Sequence, residues 1–290
     1  MTIFEAYNST KKKLESAGIE DYIFEAKQII KHITGFSATQ ILSFYNRELT
    51  DFQKNNLIAL VHQREARYPL QYIFGEWEFY GRGFDVGVGV LIPRADTETV
   101  VRDALEFLND RKNPTVLDLC AGSGCIGITI AKEKTDSQVL MVEKHDEALR
   151  YAQRNIERNS AANASAVKGD VFESFAAEDK YSLIVSNPPY ISQDEMNQIS
   201  PEVKFEPEAA LLAADGGLEF YRAIIKNYRN SLEDGGMLLF EVGYSQSRDV
   251  AELMRQNGFG DIKISKDLNG IERAVSGIKQ TENGGNLNDC

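Results

Sequence analysis

Residues Tyr181–Tyr190 read YSLIVSNPPY, and this stretch decides which fold the sequence predicts. Its apolar run, Leu183-Ile184-Val185, is typical of a strand that is buried in a parallel sheet. Two prolines follow, and because proline has no backbone N–H and a fixed φ, the strand cannot continue as a hydrogen-bonded ladder. The sequence therefore predicts a stiff loop at the carboxyl end of a buried strand, where open α/β sheets bind their ligands.

The predicted loop carries three groups that suit a planar NH2 group. The side-chain oxygen of Asn187 and the backbone carbonyl of Pro188 can accept both of its N–H bonds, and the ring of Tyr190 can stack on its face. We predict that Asn187, Pro188 and Tyr190 hold an amide or amino nitrogen for alkylation, with Pro189 as a further substrate-binding residue. The alternative interpretation is a plain turn between a strand and a loop.

Outward from this stretch, strands and helices alternate from Pro114 onward, which indicates an α/β fold with a parallel, Rossmann-like sheet. A helix is expected to end near Asn109, with Asp96 as its possible N-cap. The remaining strands are predicted at 116–119, 138–143, 164–169, 236–241, 261–265 and 272–277, and the helices at 125–132, 146–159, 217–232 and 247–257.

The chain ahead of this sheet differs in character. Residues 1–67 predict a helical domain with three capping boxes, Thr2…Glu5, Ser37…Gln40 and Thr50…Gln53. Its core faces are predicted as two stripes: Leu57, Leu60 and Val61, and Ile23, Lys27, Ile30 and Ile33. Residues 68–95 are aromatic, β-prone and glycine-rich, so we predict a β-hairpin connector there. Residues 96–279 would form the catalytic domain and residues 280–290 a disordered tail.

A candidate cofactor loop, GSGCIG at Gly122–Gly127, follows a predicted strand and opens a helix. Glu143 comes 21 positions after Gly122, where a carboxylate accepts hydrogen bonds from a ribose. Nicotinamide dinucleotides and S-adenosylmethionine both offer such hydroxyls, so the loop alone leaves the choice open. Asp118 favours S-adenosylmethionine, since a carboxylate suits a cationic amino-acid tail and would repel a pyrophosphate; ordering the turn is its alternative role. Asp170 ends the next strand and adds a third acid.

The charge and cysteine content of the chain indicate which kinds of partner and site to expect. The chain has 290 residues and a net charge of −12, of which residues 1–85 carry −1 and residues 86–290 carry −11. Binding to a phosphate backbone favours the opposite sign, so stable nucleic-acid binding is not expected. The three cysteines, at 120, 125 and 290, suggest neither a disulfide framework nor a zinc site. No run approaches a membrane span, and an intracellular, soluble protein is the expectation.

With both loops identified, the chain resembles the HemK/PrmC family, the protein-(glutamine-N5) methyltransferases that modify peptide chain release factors. The resemblance covers about residues 20–278. It rests on Pro69-Leu70-Gln71-Tyr72-Ile73, Ile92-Pro93-Arg94, Asp96-Thr97-Glu98, Leu117-Asp118-Leu119, Gly122-Ser123-Gly124, Ser186-Asn187-Pro188-Pro189-Tyr190-Ile191, Phe205-Glu206-Pro207 and the pair Gly243…Gln246.

The resemblance implies a class I S-adenosylmethionine-dependent methyltransferase domain behind an N-terminal helical bundle. The break in pattern near residues 67–93, with no chemical motif before it, predicts that the helical domain selects the substrate. The implied acceptor is the glutamine of a Gly-Gly-Gln loop in class 1 release factors. The chain departs from the family at Ala95, where proline is usual, and at Cys120-Ala121, where Gly-Thr is common. It also departs at Val171-Phe172, and either Val171 or Phe172 is expected to pack on the adenine of the cofactor. The implied cofactor-binding residues are Asp118, Cys120, Ala121, Gly122, Ser123, Gly124, Glu143, Asp170, Val171, Phe172 and Asn187.

Three rival functions stay open at this point. A DNA or RNA amino-methyltransferase, acting for example on adenine N6, would use the same loop on a flipped base. A dinucleotide-dependent oxidoreductase would leave the two prolines unexplained. A non-catalytic adaptor that binds S-adenosylmethionine would not need an intact Asn187–Tyr190 loop. We expect a monomeric, cytoplasmic methyltransferase that needs no metal ion.

Overall fold

The computed structural model describes residues 1–175 and 179–281 of the chain. Its contacts divide the chain into two compact units. The first unit comprises Met1–Glu76 together with Ser200–Phe205, and the second comprises Trp77–Ile199 together with the described residues from Glu206 onward. The predicted disordered tail, including Cys290, lies outside the described residues apart from its first two positions.

The first unit is helical. All three predicted capping boxes are present: the side chains of Thr2, Ser37 and Thr50 each accept a hydrogen bond from the third residue of the helix that follows. Leu57 and Val61 are buried, as the first predicted stripe requires. The helices are α1 (Ile3–Ser16), α2 (Tyr22–Thr34), α3 (Ala38–Ser43), α4 (Asp51–Glu65) and α5 (Leu70–Phe74), with a 3-10 turn at Val203–Phe205.

Two local predictions are wrong in part. The buried face of α2 is Ala26, Ile29 and Ile30, whereas Ile23 is 46% exposed and Lys27 is also exposed. The small Ala26 completes an i, i+3, i+4 stripe that excludes the charged lysine. The β-prone stretch from Tyr68 to Gly75 contains the helix α5, because Pro69 can start a helix and Gly75, at φ 75°, ends it in the left-handed region.

A buried ion-pair network ties residues 200–205 into the first unit. The Arg64 side chain is 4% exposed and donates to both oxygens of Glu25, at 2.6 and 3.1 Å. The same guanidinium donates to Glu202 Oε1 at 2.8 Å, and Arg67 donates to the same carboxylate. Arginine suits this position because its planar group offers several donors to two carboxylates at once.

The second unit contains a two-stranded hairpin and a seven-stranded sheet, counted among the described residues. The sheet has the order β5-β4-β3-β6-β7-β9-β8, and β9 is antiparallel to both of its neighbours, β7 and β8. This arrangement confirms the predicted α/β class. The strands are β1 (Glu76–Phe79), β2 (Arg82–Asp85), β3 (Thr115–Leu119), β4 (Gln138–Glu143), β5 (Ala164–Lys168), β6 (Tyr181–Ser186), β7 (Leu232–Glu241), β8 (Phe259–Lys266) and β9 (Glu272–Lys279).

Helices cover both faces of the sheet. Alternate residues of β6 go to opposite faces, since Leu183 and Val185 join one buried cluster and Ile184 joins the other. The helices are α6 (Glu98–Leu108), α7 (Cys125–Glu133), α8 (Asp146–Arg158), α9 (Gln193–Met196), α10 (Ala214–Gly217), α11 (Glu219–Tyr228) and α12 (Ser247–Gln256), with 3-10 turns at Ala95–Thr97, Val171–Glu173, Glu208–Ala210 and Arg229–Ser231.

The predicted N-cap role of Asp96 is wrong. Asp96 lies inside the 3-10 turn that precedes α6, and its carboxylate pairs with Arg273 at 2.9 Å. An ion pair to a residue of β9 cannot be anticipated from local sequence, because it depends on how the sheet is assembled. Among the helices that the structure describes, none has the length and apolar character needed to cross a bilayer.

The strand order fixes where a ligand can bind. The chain runs from β3 outward to β4 and β5, then returns to place β6 on the other side of β3. Between β3 and β6 the connections therefore diverge, and such a switch point leaves a crevice at the carboxyl ends of the strands.

Candidate active site

The second unit has a cavity of about 620 Å³ at the carboxyl ends of its central strands. That volume lies within the range of ordinary ligand sites. The cavity is lined by Leu91–Arg94, Cys120–Ser123, Val142–Ala148, Gly169–Val171, Asn187 and Pro189, and by Pro207, Ala209, Ala210, Leu212 and Phe220 among others.

The glycine loop between β3 and α7 uses its glycines for different reasons. Gly122 and Gly124 have φ of +56° and +79°, in the left-handed region that favours glycine. At Gly127 a Cβ would lie 2.6 Å from Met141 Cγ, so this glycine lets α7 pack closely on β4. These are the turn and packing roles expected of a G-x-G-x-x-G motif.

Glu143, at the end of β4, shapes this loop from across the cavity. Its Oε2 accepts a hydrogen bond from the Gly122 N–H at 2.9 Å, and its Oε1 accepts one from the His145 N–H at 2.8 Å. Glu143 also lines the cavity. Each carboxylate oxygen has a second acceptor position, so Glu143 can still receive hydroxyl hydrogens from a ribose.

Asp118 lies beneath the loop and does not line the cavity. It is fully buried, and its Oδ2 accepts the Gly127 N–H at 2.9 Å, which orders the first turn of α7. Its Oδ1 has no hydrogen-bond partner among the described residues. Burial raises the pKa of Asp118 to about 7, against the lowering effect of the Gly127 N–H, and Glu143 raises it further. The alternative role given by the sequence, ordering the turn, is the one that these contacts match.

The residues that come directly after β5 form a further part of the cavity wall. Asp170 pairs with Lys144 at 2.8 Å and caps the next turn by accepting the Phe172 N–H at 3.0 Å. Val171 is buried and lines the cavity. Phe172 does not line it; this ring is 41% exposed and packs edge-on against Phe220, which does.

The Asn187–Tyr190 loop forms the other end of the cavity. Asn187 and Pro189 line it, whereas Pro188 and Tyr190 do not. The Asn187 Nδ2 donates to the Thr97 hydroxyl at 3.4 Å. The Tyr190 hydroxyl donates to Glu241 Oε1 at 3.4 Å, and burial, followed by the nearby Glu241, raises the pKa of Tyr190.

Glu241 is a buried acid that the sequence analysis missed. It ends β7, beside the strand that carries Asn187, and is 2% exposed. Burial raises the pKa of Glu241 to about 7, while Thr97 and Arg273 lower it and Asp96 raises it. The available signal was a charged residue at the carboxyl end of an apolar strand, because such positions lie at the ligand-binding edge of the sheet.

Glu206 is a second residue whose position the sequence left undefined. Its side chain is 1% exposed, and its two oxygens accept hydrogen bonds from the Ile92 N–H, at 2.9 Å, and from the Arg94 guanidinium. Glu206 thereby joins two segments of the cavity wall, the one at Leu91–Arg94 and the one that begins at Pro207.

Neither described cysteine has the environment of a reactive thiol. Burial raises the pKa of both Cys120 and Cys125. Groups of three or more His, Cys, Asp or Glu side chains that could hold a metal ion do not occur within residues 1–175 and 179–281.

Comparison with known proteins identifies the family. Residues 5–75 match the PrmC N-terminal domain and residues 96–266 match the methyltransferase small domain. The release factor glutamine methyltransferase of Thermodesulfovibrio yellowstonii is 38% identical over 256 residues, covering 87% of this chain and 91% of the relative. The enzyme of that name from Fusobacterium nucleatum is 36% identical over 273 residues, covering 93% and 77%, and that of Escherichia coli is 35% identical over 253 residues, covering 87% and 91%.

The chain belongs to the release factor glutamine methyltransferase family. This confirms the predicted resemblance, the predicted class of enzyme and S-adenosylmethionine as the cofactor. It does not favour the nucleic-acid methyltransferase or the adaptor.

A solved structure supports the fold of this family member. The catalytic domain of hMettl16, determined in complex with a MAT2A 3′UTR hairpin, is similar with a TM-score of 0.57. The match covers 80% of this chain and 84% of that domain at 17% identity. At this identity the similarity shows a shared methyltransferase fold alone.

The cavity of this methyltransferase fits its cofactor. Glu143 has free acceptor positions for a ribose, and Gly122 would leave space even for a Cβ, with no atom within 4 Å of it. Of the predicted cofactor-binding residues, Cys120, Ala121, Gly122, Ser123, Glu143, Asp170, Val171 and Asn187 line the cavity, and Asp118, Gly124 and Phe172 do not.

Proposed function

We propose that this protein transfers a methyl group from S-adenosylmethionine to the side-chain amide nitrogen of the glutamine in the Gly-Gly-Gln motif of class 1 release factors. The observation that carries an acceptor with an NH2 group is the orientation of Asn187. Its Nδ2 donates to Thr97, so its oxygen remains to accept a hydrogen from an NH2 group in the cavity. Family membership supports the same reaction.

In this reaction the residues of the chain position the acceptor amide. A glutamine amide is a weak nucleophile, because its nitrogen lone pair is delocalised into the carbonyl. The cofactor supplies a methyl group on a cationic sulfur. Asn187 Oδ1 and the Pro188 carbonyl would accept the two N–H bonds and stabilise the positive charge that develops on nitrogen, while Tyr190 would stack on the amide plane. The nitrogen loses one proton after the new N–C bond has formed, so the neutral N-methyl amide is released.

We also propose a division of labour between the two units. The helical domain at 1–67 would select the release factor, supported by the match of residues 5–75 to the PrmC N-terminal domain. The net charge of −12 supports a protein acceptor over a nucleic acid. We expect a monomer that acts in translation termination, in the cytoplasm.

The test is methyl transfer from labelled S-adenosylmethionine to a purified class 1 release factor. We expect label on the intact factor and none on a matched factor whose Gly-Gly-Gln glutamine is replaced by alanine. A duplex DNA and a tRNA serve as competing acceptors. Transfer to a nucleic acid, or equal labelling of both release factors, would contradict the proposed function.

A further inference from the structure

We propose that Thr97 and Glu241 are positioning residues, which together hold the Asn187 side chain with its oxygen, and not its NH2 group, toward the acceptor. This inference rests on the proposed function, since it concerns the amide that Asn187 would receive. Neither residue touches the reacting atoms; both act through Asn187 and Tyr190.

The orientation of an asparagine amide is decided by its partners. The two ends of the group have nearly the same shape, but one end donates two hydrogen bonds and the other accepts them. At Asn187, Nδ2 donates to Thr97 Oγ1, and no described residue donates to Oδ1. A flipped amide would present NH2 hydrogens to the NH2 group of a glutamine, which places donors against donors.

Thr97 can impose this choice only if its own hydrogen is used elsewhere. A hydroxyl has one hydrogen to donate and two lone pairs to accept with. Glu241 lies beside Thr97, close enough for the hydroxyl to lower the pKa of the carboxyl group, and both residues are 2% exposed. Glu241 Oε2 is buried and has no hydrogen-bond partner among the described residues. The ionised Glu241 carboxylate accepts only. In that state the Thr97 hydrogen would turn toward Glu241, and a lone pair of Thr97 would face Asn187.

The same carboxylate holds the aromatic ring of the loop. Its Oε1 accepts the Tyr190 hydroxyl at 3.4 Å. The Tyr190 carbonyl is fixed independently, because it accepts Gln246 Nε2 at 2.9 Å. The Asn187–Thr97 and Tyr190–Glu241 distances, both 3.4 Å, are long for hydrogen bonds, as is common at catalytic sites that tighten when substrate binds.

The sheet brings these groups together. In the register of β6 and β7, Ser186 lies opposite Phe240. Asn187 is the first residue after β6 and Glu241 is the last residue of β7, so the ends of two neighbouring parallel strands bring the amide and the acid close together. Thr97 arrives from the turn before α6.

Four single-residue variants distinguish a role in positioning Asn187 from a role in packing alone. Thr97→Val keeps the shape of the side chain and removes the hydroxyl, and Thr97→Ser keeps the hydroxyl. Glu241→Gln replaces the carboxylate by an amide that can donate to the Thr97 oxygen, so that the Thr97 hydrogen can turn toward Asn187. Thr99→Val is the matched control, since Thr99 lies on α6 two residues away, is 5% exposed and does not line the cavity.

The decisive readout is selectivity between two acceptors. A release factor with glutamate in place of the Gly-Gly-Gln glutamine would bring acceptor oxygens against Asn187 Oδ1, so the wild-type protein should bind it less well than the glutamine form. If Thr97→Val frees the Asn187 amide to flip, the ratio of the two dissociation constants should fall about 5-fold or more, because the flipped NH2 group can donate to the carboxylate.

The rate should change in parallel. We expect kcat to fall about 10-fold in Thr97→Val, less than the 10²–10³-fold typical for removing a transition-state partner outright. S-adenosylmethionine should bind within about 3-fold of normal. Glu241→Gln should shift both readouts in the same direction, Thr97→Ser should restore them, and Thr99→Val should leave them unchanged.

The inference would be overturned if Thr97→Val and Glu241→Gln both kept the selectivity and the kcat of the wild type. Loss of S-adenosylmethionine binding in step with the rate would also overturn it, since that pattern indicates a collapsed cavity. A wild-type protein that methylates no release factor would instead overturn the proposed function, so the two failures are distinguishable.

Discussion

The Glu143 carboxylate accepts a hydrogen bond from the backbone N–H of Gly122 at 2.9 Å, across 21 positions of sequence. The acid at the end of β4 therefore holds the glycine turn that follows β3. The residue expected to bind the ribose also builds the loop on which the cofactor rests, and its second oxygen fixes the start of the next helix through His145.

Replacement of Glu143 should consequently weaken cofactor binding through two routes. Glu143→Ala removes the acceptors for the ribose and leaves the backbone N–H groups of Gly122 and His145 without this partner, so the loss is expected to be about 1–3 kcal/mol, or about 5- to 150-fold in the dissociation constant. The affinity of Glu143→Gln for the cofactor should lie between those of Glu143→Ala and wild type, because an amide offers only one acceptor oxygen. Calorimetric titration with S-adenosylmethionine measures the change.

An exposed glutamate in α8 provides the control for this series. Glu157→Gln also removes one negative charge but lies away from the cavity, so it should bind the cofactor normally. Equal affinity of Glu143→Ala and wild type would remove Glu143 from the site.

Asp118 gives the stability of the protein a definite pH dependence. Burial raises the pKa of Asp118 in the folded protein to about 7, from an ordinary value of 3.8. The folded state therefore holds this proton more tightly than the unfolded state, and the contribution of Asp118 to stability falls as the pH rises from about 4 to 7. Asp118→Asn carries no charge to bury, so its melting temperature relative to wild type should rise between pH 5 and pH 8.

The exposed Asp194 serves as reference in that comparison, since Asp194→Asn removes a charge that is already solvated. Its melting temperature should follow that of the wild type at every pH. A difference between Asp118→Asn and wild type that stays constant from pH 5 to pH 8 would show that Asp118 does not titrate in this interval.

The Arg94–Glu206 pair should behave as a partly buried ion pair. Arg94→Ala leaves the carboxylate of Glu206 buried without its partner, and breaking such a pair costs up to about 3–5 kcal/mol. The 36% exposure of the Arg94 side chain reduces that figure, because water already solvates part of the guanidinium in the pair. The variant should still melt several degrees lower than wild type in a thermal scan.

A second substitution should recover part of this loss. In Arg94→Ala/Glu206→Gln the buried group is neutral, and its oxygen can still accept the Ile92 N–H. The double variant should melt at a higher temperature than Arg94→Ala alone. If it melts lower, the cost of Arg94→Ala does not come from an unpaired charge.

Local sequence was sufficient to predict the elements whose signals are local. The double proline after Leu183-Ile184-Val185 marks the end of β6, and the glycines after β3 mark the cofactor loop, because each residue type restricts its own backbone. The three capping boxes were predictable for the same reason, since the partners are three residues apart.

Contacts between distant segments were not predictable in this way. Glu241 meets Tyr190 only because β7 lies beside β6, and Glu206 meets Ile92 and Arg94 across more than a hundred positions. Asp118 was predicted on the strand before the loop, where the structure has it, but its burial beneath Gly127 depends on the packing of α7 against β4. The roles of the site residues themselves stay predictions.

The measurement that tests the account most directly is single-turnover methylation of a release factor by Asn187→Ala at saturating S-adenosylmethionine. The variant keeps the Pro188 carbonyl and most of the cofactor cavity, so the cofactor should bind within a few-fold of normal. The rate constant should fall about 10²–10³-fold, since one preorganised partner of a developing charge is lost. Asn187→Asp should retain part of the activity, because a carboxylate oxygen still accepts one N–H of the amide while the Pro188 carbonyl accepts the other. A normal rate in Asn187→Ala would show that the Asn187–Tyr190 loop does not hold the acceptor glutamine.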